Sequence, residues 1–202
     1  MAKNLVFMIK TLEFYFDFGS PYSFLAHKKI RTIEKGNSIK IKYMPVLLGG
    51  LLKSAGIKAN ADIPIKGKYM IKDCKLCAEK YGIEFKFNTY FPIITLNLMR
   101  CVLIAEKNMF EKNFINNVFD AIWKDGLNLN DNTIVEKLLK NLEINPQKFL
   151  ESATNQKIKD DLKKRTAIAY SKGIFGVPTF LVNNKIFWGQ DRLEFAINES
   201  KK

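Results

Sequence analysis

Aromatic residues alternate with other positions through Phe14, Phe16 and Phe18, the period of a half-buried strand over residues 12 to 18. Gly19 then supplies a bend, Ser20 is a natural helix N-cap, and Pro21 suits a first helical position. Phe24, Leu25, Ile30 and Ile33 carry an apolar helical stripe over about residues 21 to 35, and Gly36-Asn37-Ser38 breaks it. A second strand follows over Ile39 to Met44, completing a strand–helix–strand unit.

From about residue 46 to 150 the pattern is helical, with helices over Lys68 to Tyr81 (stopped by Gly82), Leu96 to Lys107, Phe110 to Lys124 and Thr133 to Leu142. Asn145-Pro146 opens another short helix, and a longer one runs from Asn155 to Lys172 and stops at Gly173. Two short strands, Thr179 to Val182 and Lys185 to Trp188, are joined by Asn183-Asn184, a type I′ hairpin signal. The chain has no internal repeat and no low-complexity linker.

This order places Ser20 at a helix N-terminus beyond the end of a buried strand, where α/β proteins put ligands and activated nucleophiles. A plain helix cap is the other reading of Ser20. Far downstream, Pro178 precedes a strand and pushes Val177 towards an extended conformation, leaving the Val177 N–H and C=O available. The sequence leaves open whether the Val177–Pro178 bond is cis.

Together, Phe16-Asp17-Phe18-Gly19-Ser20-Pro21-Tyr22-Ser23, the late Gly176-Val177-Pro178-Thr179-Phe180 and Trp188-Gly189-Gln190-Asp191-Arg192-Leu193 resemble one branch of the thioredoxin superfamily. That branch holds the 2-hydroxychromene-2-carboxylate isomerases and the kappa-class glutathione transferases, relatives of the DsbA oxidoreductases. Leu47-Leu48-Gly49-Gly50 and Lys66-Gly67-Lys68-Tyr69-Met70, leading to Asp73, agree with it, and the resemblance runs from about residue 12 to 199. It implies an α/β protein with a thioredoxin-like fold and an inserted all-helical domain. The thioredoxin-like part is expected over residues 1–45 and 153–202, with the insertion over 46–152. A cleft between the two is the expected place for ligands.

Composition is compatible with this. A chain of 202 residues, 47% of them hydrophobic, can bury a real core. No apolar run is long enough for a membrane span. The stretch Met1 to Phe18, interrupted by Lys3, Lys10, Glu13 and Asp17, does not read as a secretory signal, so a cytoplasmic location is expected. The net charge of +13 invites a nucleic-acid reading, but the lysines are scattered among acids, as in Lys157-Ile158-Lys159-Asp160-Asp161. No nucleic-acid-binding signature accompanies them, and a solvated, anion-favouring surface is the expectation.

Cys74-x-x-Cys77 is a tempting redox motif in the wrong place. It falls inside a helix, whereas a reactive thioredoxin-type pair would occupy the Ser20-Pro21-Tyr22-Ser23 turn. Cys74, Cys77 and Cys101 are expected to be reduced thiols, and no zinc site is expected. His27, the lone histidine, lies seven residues after Ser20 on the same helix, about 10 Å of axial rise away. A Ser–His dyad is therefore not expected, and His27 is expected to be partly exposed.

The resemblance implies that the thiol comes from glutathione, with Ser20 donating a hydrogen bond to its sulfur. It further implies that Val177 pairs with the cysteinyl backbone and that Trp188, Gly189, Gln190 and Asp191 cradle the γ-glutamyl end. An ordinary helix start is the other reading of Gln190-Asp191-Arg192. For a second substrate, an aromatic carboxylate, it points to Lys53, Asn60 and Phe91; Lys53 also reads as a surface lysine and Phe91 as a core aromatic. In the isomerases the thiolate adds to a conjugated double bond, which turns and re-forms trans. A kappa-like transferase, which releases a stable conjugate, is the alternative. A non-catalytic thioredoxin-fold binding protein is the second alternative. The oligomeric state stays open, a homodimer included.

Overall fold

A computed structural model describes residues 10–34 and 39–202. The expected helix break at Gly36-Asn37-Ser38 lies outside the described residues. Strand β1 (Thr11–Phe16) runs beside β2 (Lys40–Pro45) in parallel, with helix α1 (Pro21–Glu34) between them in the chain. The late hairpin, β3 (Thr179–Val182) and β4 (Lys185–Trp188), pairs antiparallel with β1 through β3 and completes a four-stranded sheet of order β2-β1-β3-β4. Asn183 and Asn184 have φ of 51° and 58°, the left-handed pair that a type I′ turn requires.

The expected half-buried first strand is in fact buried on both faces. Phe14 and Phe16 are fully buried on one side and Tyr15 is 2% exposed on the other. The reason is position: β1 is an inner strand, and separate apolar clusters pack on its two faces, one around Phe14 and Phe16 and one around Tyr15. The strand also ends at Phe16, two residues early, because Asp17 and Phe18 already belong to the turn into α1.

Between β2 and β3 the chain is helical: α2 (Leu48–Ala55), α3 (Pro64–Tyr81), α4 (Leu96–Lys107), α5 (Glu111–Trp123), α6 (Asn132–Asn141), α7 (Pro146–Ser152) and α8 (Gln156–Ser171). A terminal helix, α9 (Leu193–Ser200), follows the hairpin. Helix α2 carries too short and glycine-rich a pattern to stand out in the sequence. Helix α3 begins at Pro64 rather than Lys68, with the proline in its first turn.

Sheet and helical insertion share one continuous core. Phe119 of α5 packs 4.9 Å, centroid to centroid, from Phe18 and 5.8 Å from Phe16. Trp123 Nε1 donates to the Phe18 carbonyl at 2.8 Å, so α5 is pinned to the turn that leads to Ser20.

His27 is fully buried, contrary to the partial exposure expected. It follows Phe24 and precedes Ile30 at three-residue spacing, so it lies on the buried stripe of α1. Its ring stacks on Phe119 at 5.1 Å, and its nitrogens meet Tyr43 Oη at 3.2 Å and Asn116 Oδ1 at 3.3 Å. Burial pushes its pKa down to about 3, opposed by the Asn116 hydrogen bond.

Candidate active site

Ser20 ends the turn between β1 and α1 with 4% of its surface exposed. Its Oγ accepts the Ser23 N–H at 3.1 Å, the bond of an N-cap residue. The same hydroxyl donates to the Val177 carbonyl at 3.4 Å. The cap reading of Ser20 thus holds, and the same hydroxyl also faces the loop before β3. The Val177–Pro178 bond is cis.

Asp17 was missed as a site residue by sequence reasoning. Only 5% exposed, its carboxylate accepts the Gly19 N–H at 2.9 Å and the Thr95 hydroxyl at 2.7 Å on Oδ1. Its Oδ2 accepts the Leu48 N–H at 2.9 Å. Burial pushes its pKa up, and these hydrogen bonds oppose the shift. The signal that could have found it is an acid inside an otherwise aromatic run, which demands buried partners.

Beside Ser20 opens a cavity of about 300 Å³. Leu48, Leu52, Ile57, Met70 and Phe91 give it apolar walls, and Tyr22 contributes an aromatic side. The Tyr22 hydroxyl is tied to Asp73 Oδ2 at 2.8 Å, and burial first, then this bond, raise its pKa. Asn60, Lys58 and Lys66 supply the polar part of the wall. Phe175, Gly176, Val177 and Trp188 close the side formed by the hairpin.

Of the residues expected to face a second substrate, Asn60 and Phe91 line this cavity and Lys53 does not. Leu48 and Leu52, one helical turn apart, set the inward face of α2, and Lys53 is rotated about 100° from Leu52 onto the exposed side. The cations in the wall are Lys58 and Lys66 instead.

Of the residues expected around glutathione, Ser20, Val177 and Trp188 share the cavity. Trp188 is 51% exposed, and its ring lies 4.9 Å from that of Phe175. Gly189 has a φ of 109°, and its N–H donates to the Pro178 carbonyl at 2.9 Å. Gln190 is turned inward: its Nε2 meets Cys77 Sγ at 3.2 Å, while its buried Oε1 has no partner. Asp191 is exposed and paired with Arg192 at 2.6 Å. Gly189, Gln190 and Asp191 thus sit beyond the wall that Trp188 forms.

None of the three cysteines lines the cavity beside Ser20. Cys74 and Cys101 are fully buried, and burial pushes the Cys101 thiol up to about 12. Cys77 is half-buried, and desolvation followed by the Asp73 charge raises its pKa as well. None has the lowered pKa of a redox nucleophile.

The chain is similar to known proteins along nearly its whole length. A 2-hydroxychromene-2-carboxylate isomerase of Sphingobium xenophagum is 28% identical over 190 residues, covering 93% of this chain and 96% of its own. The glutathione S-transferase kappa 1 of Rattus norvegicus is 26% identical over 200 residues, with 92% and 88% covered. Among solved structures, a 2-hydroxychromene-2-carboxylate isomerase superposes with a TM-score of 0.84 at 24% identity over 92% of this chain and 91% of that one. Residues 11–199 match the model of the DSBA-like thioredoxin domain, and the chain belongs to that family.

Proposed function

We propose that the protein is a glutathione-dependent cis–trans isomerase of the 2-hydroxychromene-2-carboxylate isomerase type. The observation that carries this is the buried Ser20 hydroxyl, held at a helix N-terminus 3.4 Å from the Val177 carbonyl, at the position where a redox relative would carry a thiol. The residues present fit glutathione. Ser20 supplies a donor for sulfur and Val177 a backbone acceptor.

Bound glutathione supplies the nucleophile, which adds reversibly to a conjugated double bond so that the bond can turn and re-form trans. Ser20 and Val177 satisfy one another in the structure. A ligand N–H taking the Val177 carbonyl releases the Ser20 hydroxyl to donate to the sulfur instead. A thiol of pKa about 8.5 lowered by two units needs about 2.7 kcal/mol of preference for its anion. A hydrogen bond to a charged group is worth about 1.5–3 kcal/mol, and the N-terminus of α1 adds about 0.3–2 kcal/mol. Ser20 and its helix are sufficient without a histidine.

The walls suit a flat aromatic second substrate: Leu52, Met70 and Phe91 are apolar, and Lys58 and Lys66 are cations for the carboxylates that both ligands carry. The sequence assignment of Lys53 to that carboxylate would need its side chain to reach in from the exposed side of α2.

A kappa-like transferase is the second reading, favoured by the similarity to the rat kappa enzyme. The test is glutathione titration into wild type and Ser20→Ala, followed by thiolate absorbance. Product analysis with a chromene carboxylate and with a halogenated nitroarene accompanies it. A thiolate band that depends on Ser20, with a trans product, supports the isomerase; a stable conjugate supports the transferase; no band in wild type sinks both.

A further inference from the structure

The Asp17 carboxylate is a three-way junction. It accepts from the turn that ends in Ser20 (Gly19 N–H, 2.9 Å), from the first residue of α2 (Leu48 N–H, 2.9 Å) and from Thr95 at the start of α4 (2.7 Å). Helix α2 has no cap of its own, because its N-cap residue is Leu47. Asp17 caps it from across the fold, and Thr166 Oγ1 accepts the preceding Leu47 N–H at 3.0 Å. Gly50 lets the helix sit this close: a Cβ there would come within 3.1 Å of Thr166 Cγ2.

Helix α2 presents Leu48 and Leu52 to the cavity, and Ile57 to Ala61 continue the same wall. One side chain therefore sets the Ser20 hydroxyl and the apolar wall for the second substrate in a single frame. A buried carboxylate is costly unless its oxygens are satisfied, and both are. Among the described residues its partners are two backbone N–H groups and a hydroxyl, and no Lys or Arg pairs with it.

We propose that Asp17 is a positioning residue that fixes the separation between the nucleophile held by Ser20 and the second-substrate wall carried by α2. This rests on the glutathione reading above. Asp17 lies behind the cavity and does not line it. Loss of the Oδ2 contact to Leu48 alone keeps the Gly19 bond on Oδ1, and with it nucleophile formation, but impairs the encounter with the second substrate, since a misplacement of about 1 Å can cost about 100-fold in rate.

The test compares Asp17→Asn, which keeps one acceptor oxygen and turns a donor towards another donor, with the milder Thr95→Val. Three quantities are read: thiolate absorbance with glutathione, turnover of a chromene carboxylate, and hydrogen–deuterium exchange of residues 46–55. Asp17→Asn is expected to retain the thiolate band, to lose about 10- to 100-fold in turnover and to exchange faster over 46–55. Thr95→Val, which removes one of the three bonds, is expected to fall between it and wild type. Turnover within about twofold of wild type in Asp17→Asn, or band and turnover lost together in Thr95→Val, overturns the proposal. If wild type itself gives no thiolate band, the glutathione reading fails, and exchange alone decides the clamp. Faster exchange over 46–55 in Asp17→Asn then supports it, and unchanged exchange overturns it.

Discussion

Ser20 and Val177 stand 157 residues apart in the chain, yet the Ser20 hydroxyl donates to the Val177 carbonyl at 3.4 Å. The contact joins the first turn of the fold to the loop before the hairpin. Removing the hydroxyl in Ser20→Ala also removes the cap on Ser23 N–H. The expected loss of stability is about 0.5–2 kcal/mol. The pKa of glutathione's thiol on the protein is expected to rise by about 1–2 units. Denaturant unfolding and thiolate absorbance against pH measure the two effects separately.

Lys58 and Lys66 face the cavity and Lys53 faces away from it. Replacing Lys58 or Lys66 by Ala is expected to raise KM for glutathione or for the aromatic carboxylate by about tenfold, the value of a charge-assisted hydrogen bond near 1.4 kcal/mol. Lys53→Ala is expected to change either KM by less than about twofold. Steady-state kinetics with each ligand varied in turn decides between the assignments. A large effect from Lys53→Ala alone would restore the sequence-based choice.

His27 gives the fold a signed pH dependence. Its folded pKa is lowered to about 3, so between an unfolded pKa of about 6.5 and that value the unfolded chain binds the extra proton. Its contribution is intact above pH about 6.5 and is lost as pH falls, at about 1.4 kcal/mol per unit. Between pH 6.5 and 5 that is about 2 kcal/mol. His27→Phe leaves the Tyr43 hydroxyl without its ring partner and is expected to be less stable at pH 7. It is also expected to show a flatter stability profile below pH 6.5 than wild type. Equal slopes in urea unfolding at several pH values would contradict a buried neutral imidazole.

Native thiol labelling should follow burial. Cys74 and Cys101 are expected to react only on unfolding, and Cys77 slowly, because its surroundings disfavour the thiolate. A chain with all three replaced by Ser or Ala is expected to keep its thiolate band and turnover. Loss of either would return a cysteine to the mechanism.

At Gly189 an added Cβ would lie 2.6 Å from Asp191 Oδ1, and the φ of 109° is strained for any other residue. Gly189→Ala is expected to cost about 1–3 kcal/mol and to weaken glutathione binding by loosening the loop after Trp188. Thermal unfolding together with calorimetric titration of glutathione tests both parts.

The legible features are those set by neighbours in the chain. Period-two aromatics marked β1, and glycine at Gly82 and Gly173 marked helix ends. Asn183-Asn184 marked the hairpin turn, and Gly19-Ser20-Pro21 marked the start of α1. Each follows from backbone sterics, capping or side-chain periodicity within a few residues. The expectation that Ser20 and Val177 both meet glutathione came through a resemblance rather than through local pattern, and their direct hydrogen bond was not legible in the sequence.

By itself, then, the sequence determined the order of the elements other than α2, the family frame and the residue type at the reactive turn, since these depend on short-range propensity and on the identity of side chains. Tertiary structure alone decided which way those side chains face. It buried His27 on the stripe it shares with Phe24, and turned Gln190 onto Cys77. It also rotated Lys53 out of the cavity and gathered Gly19, Leu48 and Thr95 around Asp17. Those outcomes rest on contacts between segments remote in the chain. Buried polar groups there must find partners wherever packing brings them, and no local pattern encodes that choice.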